Sequence, residues 1–302
     1  MQVSGSPACD DLGTPVPVPA EVTRVVSLVP SLTESLAATA PGLLVGATDW
    51  CTQPPDLAVR RVRGTKNPDL DAVLDLRPDV VLTNEEENRL PDLDALRAAG
   101  LAIWVTAPRS VPEALASLDR MLTVACRLGR PAWLDEAVAA WAGAAEPRAT
   151  APSATAPAAT PPAATPPAVT LPAVTVPAGR GATLGAVPPP HRRAVVPIWR
   201  RPWMALGRDT FAGDVLARLG VANVLADATE RYPRVDLAAL PPHDLVVLPD
   251  EPYAFSPSNG PEAFPGVAVV CVSGRHLTWY GPSLVSAPWV LARQLSTDVR
   301  AG

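Results

Sequence analysis

From Ala149 to Ala178 the chain repeats a five-residue unit: ATAPS, ATAPA, ATPPA, ATPPA, VTLPA, VTVPA. Threonine recurs at 150, 155, 160, 165, 170 and 175, and proline at 152, 157, 162, 167, 172 and 177. A proline in every unit removes a backbone donor and fixes φ, while alanine and threonine offer little to bury, so neither helix nor sheet can run through this stretch. The repeat is expected to be an extended, solvated polyproline-like spacer with a reach of about 90 Å at ~3.1 Å per residue. It reads as a neutral expansion, with a functional spacer or a modified threonine stalk as the alternative. Twelve of the chain's 38 prolines lie between Pro147 and Pro190. The surplus therefore belongs to one place, and the two flanking segments are free to fold as ordinary domains.

Those flanks have room for a sizeable core in a chain of 302 residues that is 48% hydrophobic. The formal charge of -5 gives no electrostatic footprint for nucleic acid or for an anionic membrane. Cys9, Cys51, Cys126 and Cys271 are widely spaced without a CxxC pair, so they read as scattered thiols and not as a disulfide scaffold. Met1 to Ala20 has no Lys or Arg and no apolar run long enough for a secretory signal. Ser6-Pro7-Ala8-Cys9 has the ending of a lipoprotein signal without the hydrophobic segment before it. As given the chain reads as cytoplasmic; a misplaced start site would make it extracytoplasmic and membrane-associated.

Both flanks alternate strands with helices. In the first, RVVSL (24–28) is a strand, and Ser31 with Glu34 forms a capping box opening a helix to Ala40. Strands follow at 43–47, DVVLT (79–83) and AIWVT (102–106), with helices from Pro68 to Leu76 and from Leu93 to Ala99. Ser110 and Glu113 make a second capping box for a helix reaching Leu128, and Ala132 to Ala145 forms another directly before the repeat. In the second flank AVVPIW (194–199), DLVVL (244–248) and VAVVCV (267–272) are strands, and 210–219 and 287–294 are helices. Pro197 favours an edge or a bulge. This pattern predicts an α/β protein with two Rossmann-like lobes, each a parallel sheet covered on both faces, and hence a cleft. The expected layout is a flexible N-terminus (1–21), an α/β lobe (22–128), a connecting helix (129–146), the low-complexity linker (147–193) and a second α/β lobe (194–302).

Catalytic signatures are absent. His191, His243 and His276 stand in no metal-binding spacing, and no GxGxxG, P-loop or GxSxG occurs. Glu85-Glu86-Glu87 after the DVVLT strand reads as a solvated loop. What stands at the strand ends is aromatic: Trp50, Trp199 with Trp203, Tyr253, and Trp279 with Tyr280. Open parallel sheets bind ligands outside the carboxyl ends of their strands, where such side chains supply flat apolar area with a polar handle. Each alone reads as a packed core aromatic; their recurrence at four strand ends in a chain with 5% aromatics points to a binding cleft. Trp104, Trp133, Trp141 and Trp289, inside strands or helices, read as core.

RVVSLVPSLTESL, LLVGATDWCTQPP, GTKNPDLDAVLDLRPDVVL, LRAAGLAIWV, PIWRRPWMALGRDTF, NVLADATERYP, DLVVLPDEPY and LTWYGP occur in this order. Together they resemble the class III periplasmic-type binding proteins, in particular the cobalamin-binding components of ABC importers and the helical backbone metal receptors. The resemblance spans 22–145 and 194–294. It implies two lobes joined by a long backbone helix, with a corrinoid or an iron chelate held between them as ligand, no required cofactor and no catalysis. It implies that Trp50 stacks on the ligand, that Gly64, Thr65, Lys66 and Asn67 form one cleft loop, and that Arg275 to Tyr280 form the last one. Trp199, Trp203, Tyr253, Trp279 and Tyr280 would wall the cleft, and Arg200, Arg208 and Arg275 would meet phosphate or carboxylate groups. His276 is a candidate axial ligand to the metal, and no protein metal site is otherwise expected. Docking on an ABC permease through one acid on each lobe maps to Asp71 on the first; on the second it falls near Ala238, where the helix 235–240 looks shortened and has no glutamate. A monomer is expected. A ferric siderophore or haem is the alternative ligand, and a cytoplasmic corrinoid-handling protein or enzyme on the same fold the alternative class.

Overall fold

The computed structural model describes residues 8–143 and 191–297. The pentapeptide repeat, and most of the expected linker, lie outside the described residues.

The amino-terminal lobe runs β1 (Val25–Ser27), α1 (Pro30–Thr39), β2 (Leu44–Ala47), β3 (Arg60–Arg61), β4 (Arg63–Gly64), β5 (Asn67–Pro68), α2 (Leu70–Asp75), β6 (Val80–Asn84), α3 (Leu90–Ala98), β7 (Ile103–Thr106) and α4 (Val111–Arg120). A π-type turn, Met121–Ala125, continues α4, and α5 (Ala132–Gly143) follows. Five strands form a parallel sheet in the order β3-β2-β1-β6-β7, and β4 pairs antiparallel with β5. The carboxy-terminal lobe runs β8 (Arg192–Val195), β9 (Pro197–Arg200), β10 (Trp203–Ala205), α6 (Phe211–Arg218), β11 (Val221–Asn223), β12 (Leu245–Pro249), β13 (Ala268–Val272), α7 (Gly274–Thr278) and α8 (Ala287–Leu295). Its parallel sheet has the order β11-β8-β12-β13.

Strand alternation sorts the core into layers, because successive side chains point to opposite faces. Val25, Val80 and Leu82 face a cluster that continues through Leu118 and Met121 and through Leu134 and Trp141 of α5 to Leu245, Val247, Val270 and Leu291 of the other lobe. Their neighbours Val26 and Val81 face α2 and α3 instead, and Val246 and Leu248 face Phe255 and Phe264. One apolar core is thus shared by both lobes. At roughly 1.5–3 kcal/mol for each fully buried large aliphatic side chain, that sharing resists separation of the lobes. Helix α5 reaches the second lobe directly: the Trp141 indole N–H donates to the Leu284 carbonyl at 3.1 Å.

Several local expectations change. Ser31 does not cap α1: the helix begins at Pro30 with Val29 as N-cap, two residues before the expected cap, and Ser31 and Glu34 are buried inside it. Glu34 instead pairs with Arg275 of the other lobe. Ser110 does cap α4, accepting from the Glu113 amide at 3.4 Å. Pro197 does stand at a bulge: β9 forms a two-stranded hairpin with β10, and its register shifts between Trp199 opposite Met204 and Pro197 opposite Ala205. Residues 235–240 form only a 3-10 turn, Leu237–Ala239. Trp289 is not core; it is 51% exposed on α8. The segment from Ala8 to Ala20, expected to be flexible, is tied down. The Asp11 carboxylate accepts from the Ala107 amide at 2.9 Å and from Ser117 Oγ at 2.5 Å and pairs with Arg120, and Val16 is buried.

Candidate functional site

The carboxyl ends of both sheets face the junction of the lobes. Trp50 lies in the turn after β2, and that turn is locked from behind. Arg61 donates to the Thr48 and Cys51 carbonyls, each at 2.9 Å, and the Cys51 thiol sits between the Thr33 and Thr48 hydroxyls at 3.0 and 3.1 Å. Burial pushes that thiol's pKa up, so it stays protonated. With the main chain fixed, the Trp50 side chain is left 67% exposed. A Cβ on Gly64 would stand 2.5 Å from Asn67 Oδ1, so the absence of a side chain there admits Asn67, and the Trp50 ring nitrogen lies in ordinary contact with the same position at 3.5 Å. Trp50, Gly64 and Asn67 therefore form one cluster. Thr65 and Lys66 turn instead toward the acidic loop after β6: the Thr65 carbonyl accepts from Asn88 at 3.0 Å, and Lys66 Nζ donates to the Glu86 carbonyl.

On the other lobe, alternation along the β9–β10 hairpin sends its two tryptophans to different environments. Trp199 is 43% exposed and meets Tyr253 edge-on at 5.6 Å. Trp203 packs on Phe255 at 6.0 Å and against Phe264 at 5.5 Å. Arg200 lies over the Trp203 ring at 5.6 Å and is paired with Glu262 and Asn259, so it is occupied within its own lobe. Arg208 is exposed and only loosely paired, 3.7 Å from Asp209.

The last loop does not form an open wall. Arg275 bridges to Glu34, and Gly281 packs against α1, where a Cβ would lie 2.8 Å from Ser35 Oγ. Tyr280 is buried; its hydroxyl accepts from Asn84 Nδ2 at 2.7 Å and lies 2.8 Å from Thr106 Oγ1. Thr106 donates its own proton to the Thr83 carbonyl, so Tyr280 is the donor to Thr106. Both ring nitrogens of His276 are engaged, with Ser273 Oγ at 2.8 Å and Ser286 Oγ at 3.2 Å. Burial and the adjacent Arg275 charge lower its pKa. His276 therefore offers no free nitrogen as an axial ligand, and Tyr280 serves the lobe junction and not the cleft surface. Among the described residues no group of three or more His, Cys, Asp or Glu is placed to hold a metal ion.

Glu85 and Glu87 of the acidic run are exposed, as a solvated loop would have them, but Glu86 between them is not part of such a loop. Asn84 Oδ1 accepts from the Glu86 and Glu87 amides at 2.8 and 3.1 Å, and the Glu86 carboxylate bonds to both lobes. Glu87 is open to solvent yet crowded by protein, and burial raises its pKa against the pull of Lys66. Glu251, beyond β12, has its pKa raised by burial and by the neighbouring Asp250, against the pull of Trp279 and Arg275. Nothing in the spacing of Glu85, Glu86 and Glu87 separates a solvated run from this one; the long-range partners Arg231 and Tyr232 decide it. Asp71 is exposed on α2, and Ala238 is exposed in its 3-10 turn.

Two parallel sheets that meet at their carboxyl ends over a shared core make a two-lobe α/β fold, the fold of solved periplasmic binding proteins. Similar solved structures include the periplasmic vitamin B12 binding protein BtuF of Vibrio cholerae, with 16% identity, a TM-score of 0.63, and 91% of this chain and 96% of that one covered. The periplasmic haem-binding protein RhuT of Roseiflexus sp. RS-1 shares 18% identity at a TM-score of 0.59, over 90% and 99% of the two chains. CeuE of Helicobacter pylori, solved with Ni(II) bound, shares 12% at 0.66, over 95% and 88%. No protein-family model and no curated protein matches the sequence.

Proposed function

We propose that the protein is a non-catalytic binding protein that holds a metal chelate between its lobes, and that within this class the ligand is a corrinoid such as cobalamin. The observation that carries the reading is the pair of exposed tryptophans, Trp50 and Trp199, one on each lobe at the carboxyl ends of the strands. Large aromatic surface left in water at such a place fits a flat apolar ligand. Ligands named for structures of the same fold, vitamin B12, haem and Ni(II), support the chelate class. The choice among chelates rests on the phenols and imidazoles. A corrinoid can bring its own axial base, whereas haem takes one from the protein. His276 is engaged through both nitrogens, and the hydroxyls of Tyr232 and Tyr280 are hydrogen-bonded within the protein, which leaves Tyr253 as the remaining tyrosine. Exposed Asp71 on α2 is the docking acid proposed for an ABC permease. Titration with cyanocobalamin, followed by tryptophan fluorescence, is expected to quench emission and saturate. No change at tens of micromolar, together with a haem spectral shift that Tyr253→Phe removes, would transfer the proposal to haem.

A further inference from the structure

Glu86 stands where the lobes meet, and both of its carboxylate oxygens are occupied. Oε1 accepts from Arg109 Nη1 at 2.8 Å and from Arg231 Nη1 at 3.0 Å, and Oε2 accepts from the Tyr232 hydroxyl at 2.5 Å. Arg109 belongs to the amino-terminal lobe, Arg231 and Tyr232 to the other. Glu85 reinforces the same pair, bonded to Arg109 and 3.5 Å from Arg231. The main chain of Glu86 is fixed as well: its amide donates to Asn84 Oδ1 at 2.8 Å, and its carbonyl accepts from Lys66.

From this residue a bonded path leads to each exposed tryptophan. On one side, Lys66 belongs to the β4–β5 hairpin, whose Gly64 underlies Trp50 and whose Arg63 carbonyl accepts from the Asp49 amide at 2.8 Å. On the other, the segment holding Arg231 and Tyr232 is stitched to the hairpin of Trp199. The Gly207 amide donates to the Arg231 carbonyl at 2.7 Å, Ala205 to Pro233 at 3.1 Å and Val235 to Trp203 at 3.0 Å. Gly207 makes that approach feasible, since a Cβ there would lie 2.2 Å from the Glu230 carbonyl. The Glu86 side chain is 27% exposed, so water and salt screen these bonds only in part.

We propose that Glu86 is a positioning residue of the cleft: by clamping Arg231 and Tyr232 it fixes the separation of the lobe that carries Trp50 from the lobe that carries Trp199. The clamp is given this purpose by the cleft reading above, although its effect on lobe separation is measurable without any ligand. Glu86→Gln keeps the side-chain length while removing the charge that two guanidinium groups share. Released from it, the two lobes sample a wider range of separations, and the tryptophans lose their fixed spacing.

The test uses the full chain with Cys9→Ser and Cys271→Ser, and spin labels on Ala95→Cys of α3 and Ala239→Cys of the other lobe, both exposed. Pulsed electron resonance is expected to give one narrow distance distribution, broadened and shifted by Glu86→Gln, less so by Tyr232→Phe, and unmoved by Glu136→Gln on α5. Combining Glu86→Gln with Tyr232→Phe should broaden it no further than Glu86→Gln alone, because the two share one bond. Cyanocobalamin affinity should fall about tenfold in Glu86→Gln, the scale of a coupling transmitted through packed and bonded groups. An unchanged distribution in Glu86→Gln overturns the proposal; should that variant fail to fold, an unchanged distribution in Tyr232→Phe does the same. A changed distribution in a protein that never binds cyanocobalamin upholds the clamp and removes the corrinoid reading instead.

Discussion

Tyr280→Phe tests how the lobes are joined. The Tyr280 hydroxyl donates to Thr106 Oγ1 and accepts from Asn84 Nδ2, and all three residues are buried. Asn84 places its other amide proton on the Thr106 carbonyl at 2.9 Å, so without the phenol oxygen one amide proton has no partner and no path to water. Leaving a buried polar group unsatisfied costs ~1–3 kcal/mol. With a midpoint of about 2 kcal/mol and a shift of roughly 2–4 °C per kcal/mol for a protein of this size, the melting temperature should fall by about 4–8 °C. Circular dichroism on heating, checked by urea titration, measures it, with Tyr253→Phe on the half-exposed phenol as the control expected to stay within about 1 °C. A double-mutant cycle with Thr106→Val should return a coupling of roughly 0.5–1.5 kcal/mol. A shift below about 1 °C in Tyr280→Phe, or no coupling, refutes the reasoning that this network joins the lobes.

Asp79 predicts a pH dependence. Burial opposes its charge, but the Thr23 and Arg24 amides and the Thr23 hydroxyl bond to the carboxylate, and its pKa is held below the usual value. Its stabilisation is therefore complete above the unfolded value of about 3.9 and is lost as pH falls through the lower folded value. The melting-temperature gap between the parent and Asp79→Asn should accordingly be constant from pH 7 to 5 and close at lower pH; a gap that widens on acidification contradicts the assignment. Deleting 149–178 shortens the connection between the described parts from 47 to 17 residues. Loop-closure entropy then favours the folded state by about 1 kcal/mol, so stability should rise slightly and cyanocobalamin affinity stay unchanged. Lower stability on urea titration would show that the repeat supports the lobes.

The strands and most helices were legible because their apolar runs carry the period themselves: DVVLT, DLVVL and VAVVCV fall on β6, β12 and β13. Glu34 shows where local chemistry misleads. Ser31 and Glu34 have capping-box spacing, yet the helix starts at Pro30 and the glutamate finds a stronger partner, an arginine 241 residues away. Glu86 and Tyr280 were hidden for the same reason, since their partners lie 145 and 196 residues off and no window along the chain contains both. Short elements without a full period, β10, β11 and α7, escaped as well. At the site, the resemblance names Trp50 and the loop Gly64 to Asn67 as cleft residues, and the structure brings Trp50, Gly64 and Asn67 into one cluster, while the inward turn of Trp203 and the pairing of Arg200 and Arg275 depend on packing that composition does not encode.

Calorimetric titration of cyanocobalamin into the full chain and into Trp50→Ala and Trp199→Ala tests the central claim most directly. Covering about 80 Å² of an indole face at ~25 cal/mol per Å² is worth about 2 kcal/mol, or about thirtyfold in Kd. The account predicts one-to-one binding by the parent and a loss of that size in each variant. No binding by the parent at tens of micromolar, or binding that neither substitution weakens, contradicts it.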